Sequence, residues 1–117
     1  MKTEKIELNS EFKIMCEQTG KVEDEIKEKW VSLFSRLNTI RKAYLIRVKY
    51  ENSLIDSVCL CLKVNAKFSK ATIREIALVF SNMFNKKHYL DILVINDEQE
   101  KNIKKLANPF FELMNNQ

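Results

Sequence analysis

The run RKAYLIRVKYENSLIDSVCLCLKV, Arg41 to Val64, contains two stretches of alternating side chains with a polar break between them. In the first, Tyr44, Ile46, Val48 and Tyr50 fall on one side, and Leu45, Arg47 and Lys49 on the other. Both the two-residue period and the aromatic and β-branched content are those of a strand. In the second, Val58, Leu60, Leu62 and Val64 point one way, and Cys59 and Cys61 the other. With ENSL turning the chain between them, the two segments form an antiparallel hairpin.

Upstream, Val22, Ile26, Trp30, Leu33, Phe34 and Leu37 recur at spacings of three and four, with Glu and Lys on the other face. This is the clearest amphipathic helix of the chain, and Glu23, Asp24 and Glu25 lie in its first turn, where the helix dipole favours negative charge. Before it, EFKIMCE (Glu11 to Glu17) alternates Phe12, Ile14 and Cys16 as a half-buried strand does, and QTGK breaks it. Downstream, Ser69 is placed to cap a second helix whose stripe is Ile73, Ile76, Ala77, Phe80, Met83 and Phe84. YLDILVIN is the last strand. Asp97 and Glu100 stand at capping-box spacing, so a third helix is expected from about Glu98 to Ala107, with Ile103 and Leu106 inward and Pro109 beyond its end.

Strand, helix, strand, strand, helix, strand, helix is an α+β order. The expected architecture is a mainly antiparallel four-stranded sheet with helices on one face, a βαββαβ core of ferredoxin-like tendency, plus a C-terminal helix. The length of 117 residues fits one domain spanning 1–117, with its core at about residues 11–112. Apolar runs such as Ile92 to Ile95 fall far short of the ~20 residues of a membrane helix, and MKTEKIELNS lacks the apolar core of a signal peptide. Three cysteines without a stapling pattern suit a reducing compartment, so the expected location is the cytoplasm.

The net charge of +4 comes from 20 basic and 16 acidic residues that are interspersed, as in KVEDEIKEKW, which is the pattern of solvated helix faces. Weak nucleic-acid binding through Lys86, Lys87, Arg41 and Lys42 is the reading this argues against. One glycine, Gly20, rules out glycine-rich phosphate loops. The single histidine, His88, lies in the polar entry to a strand, NKKHYL, and reads as a surface residue. A thiol- or metal-dependent enzyme would need Cys16, Cys59, Cys61 and His88 to converge; buried cysteines acting as small hydrophobes are the preferred reading. Asp91, inside an apolar strand, either faces solvent or caps a buried backbone group. No enzyme activity, cofactor or metal is therefore expected.

The segments RKAYLIRV, SVCLCLKV, IREIALVFSNMF, YLDILVIN and NPFFE together resemble the C-terminal domain of the SseB, or enhanced serine sensitivity, family over about residues 11 to 112. The resemblance implies a bacterial interaction or adaptor module without catalysis. An immunity protein against a secreted toxin is the alternative it raises. It also implies that the Pro-Phe-Phe ending closes the fold. The family's usual N-terminal domain has no counterpart in these residues.

On this reading a partner meets a sheet face or edge left uncovered by helices, where Tyr44, Arg47 and Tyr50 supply aromatic and Arg anchors. Phe110 and Phe111 complete the candidate set. As neighbours in an extended segment they point to opposite sides, so one ring is expected in the core and the other free for a partner.

Overall fold

The computed structural model describes residues 2–5, 12–51, 56–84 and 89–113. Its elements are β1 (Lys2–Lys5), β2 (Phe12–Glu17), α1 (Lys21–Leu37), β3 (Ile40–Tyr50), β4 (Ser57–Val64), α2 (Lys70–Met83), β5 (Tyr89–Val94), α3 (Asp97–Lys104) and β6 (Phe111–Glu112). The central hairpin forms as its alternation requires, with Tyr44 opposite Cys61 and Arg47 opposite Val58.

The class is α+β, but the sheet is mixed and, among the described residues, has six strands, in the order β1-β5-β4-β3-β2, with β6 also pairing β3. β4 and β5 are parallel, and so are β1 and β5. The expected split βαβ core is therefore replaced by one in which β2, β3, β4 and β5 lie side by side in sequence order. The physical reason is that β2 pairs with β3 and leaves the far edge of β4 open, so the crossover through α2 lays β5 parallel along that edge.

A second correction concerns the layers. α1 and α2 cover one face, where Trp30, Phe34, Ile76 and Phe80 pack on Ala43, Leu45, Leu60, Leu62, Leu90 and Ile92. α3 packs on the opposite face, where Ile103 and Ala107 join Tyr44, Ile46, Cys61, Leu93 and Ile95. The central residues of β3 to β5 thus find an apolar cover on both faces, and these stretches read as nearly continuous hydrophobic runs.

The caps also differ in detail. α3 starts at Asn96, whose side chain accepts from the Gln99 N–H while Gln99 Oε1 accepts from the Asn96 N–H, so the capping box sits one residue earlier than expected. Ser69 does occupy the N-cap of α2, without a side-chain capping bond. α1 ends at Asn38 in the left-handed conformation (φ 59°), its N–H bonded to the Phe34 carbonyl.

Candidate functional site

Two constellations stand out, one on each face of the sheet. On the α3 face, Tyr44 is fully buried and its hydroxyl donates to Glu100 Oε2 at 2.5 Å. Lys42 Nζ lies 3.4 Å from the same oxygen and Lys63 Nζ 3.9 Å from Oε1. Lys63 also pairs with Asp97. Burial pulls the Glu100 pKa up, but the Tyr44 hydrogen bond and the charges of Lys42 and Lys104 outweigh it and hold the group below the ordinary carboxylate range. Burial, with Glu100 beside it, pushes the Tyr44 phenol well up.

Further along this face Tyr50 Oη donates to Asp91 Oδ2 at 2.9 Å. Asp91 therefore neither simply faces solvent nor serves only a backbone group. Cys59 and Cys61 lie beneath, both buried, with their sulfurs 3.7 Å apart. The shared hydrogen bond with Cys61, together with burial, drives the Cys59 thiol well up, away from the reactive thiolate. Cys16 does not join them. It is exposed on β2, which borders β3, whereas the pair is on β4 beyond it, and strands two apart are separated by about 9–10 Å. His88, Lys86 and Lys87 lie outside the described residues.

The other constellation is a pocket of about 120 Å³ between the two helices and the sheet. α1 contributes Glu23, Ile26 and Trp30 to its wall. The strands contribute Leu45, Val58 and Leu90, and α2 closes it with Phe80 and Phe84, whose rings stack 4.6 Å apart. Trp30, Leu90, Ile26 and Leu45 are buried; Glu23, Val58 and Phe84 are half-buried and mark its outer side.

Among the described residues Glu23 is the one charged group in this wall, and its position is built from the chain outward. Gly20, the N-cap of α1, has φ 148°, a conformation that L side chains rarely adopt. A Cβ there would run into Glu23 Oε1, so the chain's single glycine makes room for the carboxylate to fold back over the first turn. Gln18, itself buried, then holds it, its Nε2 donating to Glu23 Oε2 at 2.7 Å. Gln18 Oε1 in turn accepts from Arg47 Nε at 3.1 Å, and Arg47 Nη1 lies 3.8 Å from Asp56. Register places Arg47 directly across from Val58 of the pocket wall.

The five candidate contact residues lie in different places. Tyr44 is interior, Tyr50 is half-buried on the α3 face, and Arg47 is half-exposed on the α1 side, beside the pocket. Phe111 is buried and meets Phe34 edge-on at 5.5 Å. Phe110 packs on the same side, 6.2 Å from Trp30 and 6.3 Å from Phe34, with Lys27 Nζ 5.9 Å from its ring. The expectation of opposite directions fails because Phe110 sits in a bend before β6 rather than in extended chain. Sequence reading missed the pocket. Its one available signal was the lone glycine three residues before a glutamate at a helix start.

No family model, curated protein or solved structure matches this chain.

Proposed function

We propose that this chain is a non-catalytic bacterial protein-interaction or adaptor module, working in the cytoplasm, of the kind its resemblance to SseB C-terminal domains implies. The observation that carries the reading is the half-open apolar pocket with Arg47, Gln18 and Glu23 joined along its margin. Protein interfaces concentrate their affinity in a few anchors seated in apolar pockets and surround them with a polar rim. Tyr44 and Cys59 are pushed up and Glu100 down, so these three groups are not poised near operating pH for general acid–base work.

Affinity capture from the native host, with elution by an excess of untagged chain, tests it. The expected result is a protein that is retained by the bait and released by the competitor. Nothing released by competitor from micromolar bait, together with turnover of small substrates, would contradict it.

A further inference from the structure

The pocket also specifies what it takes. Its volume of about 120 Å³ approaches that of the cavities, about 150 Å³, that accept a benzene ring. One phenyl or leucyl side chain matches that space, and a bulkier or polar group does not suit walls made of Ile26, Trp30, Leu45, Val58, Phe80 and Leu90. The carboxylate of Glu23 adds charge selectivity. Among the described residues no cation pairs with it, and the hydrogen bond it accepts comes from the Gln18 amide. A carboxylate has room for about four donors, so capacity remains for an incoming one.

Arg47, on the rim, is turned away to Gln18 Oε1 and Asp56, and Lys27, one helical turn beyond Glu23, pairs with Glu17 instead. Asp24, exposed in the same first turn, is outside the pocket wall. We infer that the pocket receives one Phe or Leu side chain of a partner polypeptide that carries a lysine or arginine close by in sequence, with Glu23 taking the cation. The inference rests on the interaction-module reading for the source of that side chain.

The chain's single tryptophan makes the test direct, because its indole N–H gives one isolated amide-type NMR signal and its ring lines the pocket. The probe is acetyl-Lys-Gly-Phe-Gly-Lys-amide, titrated into the full ¹⁵N-labelled chain. Two matched peptides carry Gln in place of both Lys, or Ala in place of Phe. Saturable movement of the Trp30 indole signal is expected with the first peptide. Replacing Phe by Ala should weaken binding more than about tenfold, the worth of burying a Phe side chain.

Replacing Lys by Gln should weaken binding about three- to fivefold, the size of a partly exposed ion pair. Glu23→Gln should do the same to the Lys peptide while leaving the Gln peptide unchanged. Asp24→Asn should change affinity less than about twofold. No saturable movement, equal binding of the Lys and Gln peptides, or tighter binding of free benzylamine than of the peptide would each overturn the inference.

Peptide binding without any competitor-releasable protein in the capture experiment would contradict the interaction reading alone. A captured protein that is retained equally by a folded Val58→Phe variant, in which the pocket is filled, would contradict this inference alone.

Discussion

The indole Nε1–H of Trp30 donates to the backbone carbonyl of Ile76 across 3.2 Å, tying α1 to α2 over 46 residues of sequence. The bond is buried, and the same ring stacks on Phe80 at 6.4 Å and approaches Phe110 at 6.2 Å. Trp30→Phe keeps most of the apolar bulk and removes the donor. We expect it to cost about 1–2 kcal/mol, a hydrogen bond plus a small void, against about 3–5 kcal/mol for Trp30→Ala. Urea denaturation followed by circular dichroism measures both, and a Trp30→Phe chain as stable as the parent would show that the bond contributes nothing net.

Glu100 makes stability depend on acid. Its folded-state pKa lies below the ordinary carboxylate value, about 4.3, despite burial, through Tyr44 and the nearby lysines. The folded chain therefore takes up this proton less readily than the unfolded one. The stabilisation is present above the unfolded value and is lost as pH falls through the folded one. Glu100→Gln should cost about 1–3 kcal/mol at neutral pH, as loss of hydrogen bonds to a charged group does. The gap from the parent should narrow steadily when denaturation is repeated from pH 6 to pH 3, and a gap that is constant over that range would refute the role given to the charge.

The three cysteines should separate cleanly. Cys16 is exposed, whereas Cys59 and Cys61 are buried side by side, and Cys59 is held protonated. With a chromogenic disulfide reagent at pH 8, one thiol should react at once and the other two only on unfolding, as access and thiolate character dictate. Rapid reaction of all three in the native chain would place the β4 pair at the surface.

The C-terminal rings both belong to the α1 layer. Phe111→Ala is expected to cost about 3–5 kcal/mol, as for a buried Phe. Phe110→Ala should cost about 1–3 kcal/mol, more than an exposed position, because its ring contacts Trp30, Phe34 and Lys27. Chemical denaturation of each variant decides the matter, and a negligible loss at Phe110 would return that ring to the role of a free contact.

Elements were legible in the sequence because each is written locally. The alternation through Tyr44 to Val48 and the stripe through Ile26, Trp30 and Phe34 need no knowledge of the rest of the chain. What covers a given strand face is not local. Tyr44 and Tyr50 look like exposed anchors until α3 is seen to fold over their side, bringing Glu100 onto Tyr44. Parallel pairing of β4 with β5 is likewise settled by where α2 lays the chain. Of the candidate site, Arg47 was visible as a charge within an apolar strand. The pocket beside it takes its walls from α1, α2 and three strands, and no spacing in the sequence encodes that meeting.

The most direct measurement is a set of intermolecular nuclear Overhauser effects between the Phe ring of acetyl-Lys-Gly-Phe-Gly-Lys-amide and the chain at saturating peptide. Contacts from that ring to the Trp30 indole and to the methyl groups of Ile26 and Leu90, the buried floor of the pocket, are the expected result. Contacts confined to Ile14 and Tyr50 on the opposite sheet face, or no contacts at all, would contradict the pocket as the proposed seat of a partner's side chain.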